Sequence, residues 1–139
     1  MYTEKSTVLT DTALLVMLRS AVTKAEEIGQ PQCIVIVDAS GVTLSQFRMQ
    51  GAKYLSLKSA EAKARTAASI RAATDSVPEA VRPAIAAATG GQMTGLGGGL
   101  PIFADGFCIG GIGVGSGAPD QDVEVGLAAL TAIGLTPTA

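Results

Sequence analysis

Glycine alternates with branched apolar residues in one segment near the C-terminus, and this pattern constrains the fold more than any other feature. Twelve of the 17 glycines lie between residues 90 and 117. From Gly111 to Gly115, Ile112 and Val114 alternate with glycine, so a strand here would have one apolar face and one nearly bare face. A bare face implies close approach by a ligand, a helix or another subunit.

An alanine-rich segment is one candidate for covering that face. Residues 56–73 contain strong helix formers and neither glycine nor proline, so they predict a helix. Its alanines share one stripe, and such a helix can pack very closely. Lys63 lies on the flank of the stripe. It could serve in a site, or it could be a surface or ion-pair lysine, with Glu61 or Asp122 as its partner.

The remaining patterns predict a single α+β domain over residues 1–139, with 1–8 and 135–139 as tails. Apolar residues recur at helical spacing up to Gly29, with Thr10 or Asp11 as the cap. Two hairpins and a C-terminal helix follow, in the order α-β-β-α-β-β-α, and predict an antiparallel sheet of four or five strands with helices packed on it. The expected strands are 33–37, 42–47, 100–103 and 107–114, and the expected further helices are 83–88 and 120–133.

The chain contains no histidine, which excludes several classes of mechanism. Ser-His-Asp and Cys-His nucleophile systems, histidine metal sites and histidine-ligated haem are all ruled out, and no metal site is expected. The net charge is -2 and there is no basic run, so we expect no nucleic-acid partner. The apolar stretches are too short to cross a bilayer, and we expect no membrane partner and a cytoplasmic location.

The glycine-rich turn that enters the last helix is a candidate binding site. Unpaired backbone N–H groups converge where such a turn meets a helix N-terminus, here over 113–122, and can hold an anion or an oxyanion. Acidic residues in the first helical turn favour a carbonyl, enolate or small carboxylate over a phosphate. The glycines at 97–99 do not match a phosphate loop, because no Gly-Lys-Ser/Thr follows them.

These considerations give a set of candidate site residues. Lys63, desolvated by burial, or Asp122 would move a proton, while backbone N–H groups would stabilise developing negative charge. The candidate ligand-binding residues are Arg48, Gly97, Gly98, Gly99, Gly115, Ser116 and Gln121.

Three motifs resemble those of one known family. The sequences AEAKARTAAS, GGGLPIFADGFCIGGIGVGSGAPDQD and VIVDASGVTL, with a closing GLAAL, are similar to the GlcG/HbpS-like family, the so-called haem-degrading domain. This domain also forms the C-terminal part of PduO-type adenosyltransferases. The resemblance implies an α+β domain that assembles into tetramers, hexamers or octamers, and some family members bind haem or a corrinoid.

Two departures from the family pattern affect these expectations. Without histidine, an axial ligand to haem iron would have to be Met, Cys, Tyr or Lys. Ala118 replaces a threonine of the family motif, so the hydroxyl that would cap the last helix is lost, which leaves the N–H groups of Asp120, Gln121 and Asp122 free for other partners.

The sequence therefore supports three functional hypotheses. The first, which the sequence favours because the lack of histidine weakens the haem option but leaves lysine and carboxylate chemistry intact, is a cofactor-independent isomerase or lyase acting on a small carbonyl or carboxylate compound. The second is a non-catalytic binding protein for haem, a corrinoid or another planar ligand, although the missing histidine disfavours haem and no cofactor is expected. The third is a purely structural role in assembly.

Overall fold

The computed structural model describes all residues, 1–139, and confirms the predicted α+β fold. Four strands form one antiparallel sheet in the order β2-β1-β4-β3. Two short 3₁₀ turns precede α3, at Thr74–Ser76 and Glu79–Val81. The helices are α1 (Asp11–Glu27), α2 (Ser56–Ile70), α3 (Arg82–Ala88) and α4 (Pro119–Ala132), and the strands are β1 (Cys33–Asp38), β2 (Thr43–Arg48), β3 (Gly99–Ala104) and β4 (Phe107–Gly115).

The sheet separates two apolar layers of different size. Helices α1 and α4 cover one face, where 15 buried residues including Ile34 and Ile112 form the larger cluster. Helix α2 covers the other face, where seven buried residues including Val35 and Ala64 form the smaller one. Alternate residues of β1 point to opposite clusters, as expected for a strand covered on both faces.

Helix α2 fills the bare face of β4. A methyl group added at Gly113 would overlap the carbonyl oxygen of Ala60, and one added at Gly111 would overlap that of Ala64. The glycines of β4 and the alanines of α2 therefore bring two backbones into direct contact. Of the three candidates that the sequence offered for this face, the alanine-rich helix is the one that occupies it.

Two boundaries differ from the predictions. Helix α2 ends at Ile70 rather than at residue 73, because Arg71 adopts a left-handed conformation (φ 57°) that redirects the chain. The turn brings Thr74 under the sheet, where its hydroxyl accepts a hydrogen bond from the backbone N–H of Gly99. The C-terminal segment is not a free tail, since the carbonyl of Thr136 accepts a hydrogen bond from Phe103 at the edge of β3.

At the N-terminus, the first ten residues have no regular structure. Helix α1 then begins with the predicted cap, in which the Thr10 hydroxyl accepts from the N–H of Ala13 at 3.1 Å. None of the helices combines the length and the hydropathy needed to cross a membrane.

Candidate functional site

A buried ion pair connects the two helical layers. Lys63 of α2 and Asp122 of α4 approach from opposite faces of the sheet, and their Nζ and Oδ2 atoms are 2.9 Å apart. Their side chains are only 6% and 2% exposed. The Lys63 ammonium also donates to the carbonyl oxygen of Val114 at 2.7 Å. Two of its three N–H donors are therefore used within the protein, and a third is available.

Gly98 provides the space in which the ion pair forms. A methyl group added at this residue would lie 2.7 Å from Cβ of Asp122, 2.8 Å from the carbonyl oxygen of Val114 and 3.0 Å from Nζ of Lys63. Gly98 also has φ 116°, which side chains disfavour. Glycine is thus required here for two reasons: the backbone has a positive φ, and a side chain would collide with the residues of the ion pair.

The side chains of the first turn of α4 accept hydrogen bonds from the residues at and before its N-terminus, but they do not replace the missing cap hydroxyl at Ala118. The Gln121 side-chain oxygen accepts from the Ala118 N–H at 2.9 Å, and Asp122 Oδ1 accepts from the Gly117 N–H at 3.1 Å. The N–H of Asp122 bonds to the Ala118 carbonyl, contrary to the expectation that it is free. The N–H groups of Asp120 and Gln121 have no acceptor within the chain.

A polar cleft of about 280 Å³ opens beside the ion pair. Three residues of α2 contribute to one wall, and they lie three and four positions apart, so they share a helix face. The backbone N–H of Lys53 donates to the Ser116 hydroxyl at 2.9 Å and closes the opposite wall. The lining residues are Lys53, Ser56, Ser59, Lys63, Leu96, Gly97, Ser116, Gly117, Pro119 and Asp122.

Ser116 holds an uncommon backbone conformation at the edge of this cleft. Its φ of 96° is costly for a residue with a side chain. Its hydroxyl accepts from Lys53, and its carbonyl accepts from the side-chain amide of Gln30 at 3.2 Å. These two contacts keep the serine in place and fix its hydroxyl at the cleft.

Three exposed apolar side chains, called the rim below, line the cleft or adjoin its lining residues in the chain: Leu96, Tyr54 and Leu55. Leu96 lines it directly and is more than half exposed. Tyr54 and Leu55 are also more than half exposed, and they lie in the chain between the lining residues Lys53 and Ser56. The site therefore combines a small polar depression with one apolar lining residue and two exposed apolar neighbours in the chain, an arrangement suited to an amphipathic ligand.

The structure brings some of the predicted site residues together. Lys63, Asp122, Gly97 and Ser116 line the cleft, and Gly98 lies directly against the ion pair. The proposed catalytic residues are thus adjacent, but as partners in an ion pair. The alternative interpretation of Lys63 as an ion-pair lysine with Asp122 describes the observed contact.

Four other candidates lie outside the cleft. Arg48 is on the edge strand β2, where its guanidinium donates to the Ala52 carbonyl at 3.2 Å. Gln121 is occupied in capping α4. Gly115 and Gly99 make room for the start of α2 and for the backbone of Lys63, respectively, so they act through packing.

Lys53, Ser56 and Ser59 line the cleft but were not predicted from the sequence. A signal existed for the serines, because together with Lys63 they mark a polar stripe on an otherwise alanine-rich helix. No local pattern marked Lys53, which reaches the site only because the loop before α2 meets Ser116.

Gln32 was also missed, and it is the most unusual polar residue in this region. It is fully buried, yet neither atom of its carboxamide has a hydrogen-bond partner. A methyl group added at Gly117 would lie 2.7 Å from Nε2 of Gln32 and 2.9 Å from Oδ1 of Asp122. An unsatisfied amide therefore lies beside the ion pair, where burial makes it costly.

Neither cysteine is a suitable nucleophile for the site. Cys33 is fully buried, and burial raises the pKa of its thiol, an effect that the positive charge of Arg48 opposes. A raised pKa leaves less of the reactive thiolate at neutral pH. Cys108 is half-buried and does not line the cleft.

Comparisons with known proteins agree with this architecture. The family described as "Haem degrading protein HbpS-like" matches residues 9–131. The chain belongs to this HbpS-like family. A corrinoid adenosyltransferase, PduO from Citrobacter freundii, is 34% identical over 122 residues, which are 84% of this chain and 36% of that protein. The chain thus spans about a third of the length of this relative.

Solved structures of HbpS-like proteins share the whole fold. The PduOC:haem complex superposes with a TM-score of 0.89 at 30% identity, covering 96% of this chain and 100% of the other. A double mutant of HbpS from Streptomyces reticuli superposes with a TM-score of 0.85 at 33% identity, covering 95% and 91%. These relatives support small-molecule binding as the function of an HbpS-like domain, and none of their names describes an isomerase or a lyase.

Proposed function

We propose that this HbpS-like chain is a non-catalytic binding protein for a tetrapyrrole, of the haem or corrinoid class. The observation that carries the proposal is the structural likeness to the PduOC:haem complex over 96% of the chain. The amphipathic site described above supports it, since haem and corrinoids are broad apolar macrocycles with carboxylate or amide groups at their edge.

The polar part of the site fits the edge groups of such a ligand. Lys53 makes no ion pair within the chain, so its charge is available to a carboxylate, whereas the charge of Lys63 is balanced by Asp122. The hydroxyls of Ser56 and Ser59 and the third N–H of Lys63 add hydrogen-bonding capacity. At about 280 Å³ the cleft is at the lower end of ligand pockets, so it would admit an edge group rather than a macrocycle.

The apolar rim fits the macrocycle itself. Leu96 lines the cleft, and Tyr54 and Leu55, which lie in the chain between two lining residues, add exposed flat or branched apolar surface. Tyr54 is also the residue at the rim whose side chain is an established type of axial ligand to haem iron. The absence of histidine therefore limits which residue type could be the axial ligand, but the residues that would hold the ring are still present. When bound, haem supplies redox and oxygen chemistry; the chain's own residues bind and orient it.

The geometry of the ion pair favours binding over acid-base catalysis. To act as a base, Lys63 would have to be a neutral amine, which would remove the positive charge that balances the Asp122 carboxylate. Leaving Asp122 buried without its partner would be strongly unfavourable. The pair is better suited to fixing the shape of the cleft than to moving protons.

Titration with haemin, followed by absorbance, tests the proposal. We expect a shifted Soret band that saturates at a fixed stoichiometry per chain. Tyr54→Phe removes only the phenol oxygen and should change the Soret position, while Tyr2→Phe, at the other tyrosine, should leave it unchanged. A parallel titration with hydroxocobalamin shows whether the ligand is a corrinoid instead. Absence of saturable binding in both titrations would overturn the proposal.

A further inference from the structure

A second depression lies nearer the C-terminal end of α2 and shares no residue with the cleft. Its volume is about 690 Å³, more than twice that of the cleft and within the range of small-molecule sites. We call it the turn pocket, because the turn between β1 and β2 (residues 39–43) forms one wall. The other walls are Arg65 and Ser69 of α2 and, after α3, Thr89, Gln92 and Met93.

Arg65 is the one charged residue that lines the turn pocket, and three segments hold its guanidinium. Its Nε donates to the carbonyl oxygen of Gly41 at 3.0 Å, and its Nη1 donates to the side-chain oxygen of Gln92. Nη1 also lies 2.7 Å from a carboxylate oxygen of Glu61, one turn earlier on α2. The N–H groups of Nη2 have no acceptor within the chain, so a fixed guanidinium keeps two donors for a ligand.

The two loop walls of the turn pocket are also held in place by hydrogen bonds. Oδ1 of Asp38 accepts from the backbone N–H of Ser40 at 2.8 Å and from that of Val42 at 3.0 Å, which fixes the turn. The Thr89 hydroxyl accepts from the N–H of Met93 at 3.0 Å and fixes the segment after α3. Binding here would therefore require little ordering of the protein, which favours affinity.

The free polar groups of the turn pocket are mostly hydroxyls. Ser40, Thr43 and Ser69 line it, and their hydroxyls have no hydrogen-bond partner within the chain. The amide nitrogen of Gln92 is also without a partner. A hydroxyl both donates and accepts, so this set matches ligand groups that do the same, and those are hydroxyls.

The charge balance of the turn pocket favours a neutral ligand. Glu61 already balances the charge of Arg65, and no other charged residue lines the pocket. An anion would compete with Glu61 for the guanidinium, and a cation would meet the guanidinium itself. Three apolar residues, Ala39, Val42 and Met93, complete the lining and suit the C–H surface of a ring.

We propose that the turn pocket binds a neutral sugar. Arg65 and Gln92 donate to its hydroxyl oxygens, and the serine and threonine hydroxyls both donate to and accept from its hydroxyl groups. The apolar residues of the pocket contact its C–H groups. This site is separate from the cleft, so one chain can hold both ligands.

Titration followed by amide NMR tests the proposal. The ¹⁵N-labelled protein is titrated with glucose, galactose and mannose, and the hexose that binds most tightly is compared with its uronic acid and its amino sugar. We expect saturable shifts of the amide signals of residues 39–43, Gln92 and Met93. The neutral hexose should have a lower dissociation constant than either charged counterpart.

Variants of two lining residues test the proposed contacts. Arg65→Lys keeps the charge but loses the planar set of donors, and we expect about tenfold weaker binding of the hexose. Ser69→Ala removes one exposed hydroxyl and should weaken binding by about threefold or more. Arg19→Lys, at an exposed arginine of α1, is the matched control and should bind like the wild type. Circular dichroism checks that each variant is folded.

Three results would overturn the proposal. The first is absence of saturable binding for all three hexoses, and the second is tighter binding of the uronic acid or the amino sugar. The third is binding like that of the wild type in both Arg65→Lys and Ser69→Ala. Haemin titration of Ser69→Ala should match that of the wild type, because Ser69 does not line the cleft, so the two sites are tested separately.

Discussion

The two faces of the sheet are packed in opposite ways. Under α1 and α4, large side chains such as Ile34 and Ile112 fill a layer between backbones. Between α2 and β4, the glycines of β4 leave no such layer, and Gly113 lies directly against the backbone of Ala60. Close approach of α2 allows the long side chain of Lys63 to pass the end of β3 and reach Asp122, which belongs to the other layer.

The two kinds of packing differ in how well they tolerate substitutions. A layer of side chains can adjust when one of them loses a methyl group, because its neighbours shift by fractions of an ångström. Backbone packed on backbone has no such freedom, since moving α2 away would disturb every contact along the helix. The candidate site depends on the rigid face, and its shape is set there.

Removing the Lys63–Asp122 ion pair, which connects the two layers, should have the largest effect on stability. Lys63→Met leaves Asp122 buried without a partner, and we expect the free energy of unfolding to fall by about 3–5 kcal/mol. The double variant Lys63→Met with Asp122→Leu removes both charges and should recover much of that loss. Urea unfolding measures both. Lys58→Met, an exposed lysine on the same helix, should change stability by less than about 0.5 kcal/mol.

An equal fall in the free energy of unfolding in the single and double variants would contradict this account. It would show that stability depends on the aliphatic packing of the two side chains rather than on their pairing.

Neighbouring residues of β4 offer the sharpest comparison of the two faces. Gly113→Ala adds one methyl group against the carbonyl of Ala60, and we expect a loss of about 3 kcal/mol or an insoluble protein. Ile112→Val removes one methyl group from the opposite face and should cost about 1 kcal/mol. Both are measured by urea unfolding, with solubility on expression as a second measure for Gly113→Ala. Similar losses in the two variants would mean that the faces do not differ in tolerance.

The sequence predicted this contrast only in part. Alternation of glycine with Ile112 and Val114 indicated a closely approached face, and the alanine stripe of α2 was one of three candidates for it. The end of α2 could not be predicted, because no glycine or proline marks the left-handed turn at Arg71 and the Thr74–Gly99 hydrogen bond that follows it joins segments distant in sequence.

The sequence predicted several residues of the site but not how they are arranged. Lys63 and Asp122 were singled out separately, and their pairing was one of several alternatives for the lysine. Arg48 lies outside the cleft, and nothing local in the sequence shows that β2 is an edge strand on the far side of β1. Lys53 and Gln32 were missed, since they reach the site only through contacts between segments that are distant in sequence.

The smallest expected effect concerns the unsatisfied amide beside the ion pair. Gln32→Leu replaces the carboxamide with an apolar group of similar shape, and we expect stability to stay equal or to rise by about 1 kcal/mol. Thermal unfolding measures the change. A fall of more than about 2 kcal/mol in the free energy of unfolding would contradict this expectation, because it would show that the amide makes stabilising hydrogen bonds in solution.

The claim that the polar cleft anchors the ligand is tested most directly by one pair of lysine variants. Haemin is titrated into the wild type, Lys53→Met and Lys58→Met, and dissociation constants are obtained from the Soret absorbance. We predict saturable binding in all three, with affinity about tenfold or more weaker for Lys53→Met and unchanged for Lys58→Met. Equal affinities in the two variants, or absence of saturable binding in the wild type, would contradict the account.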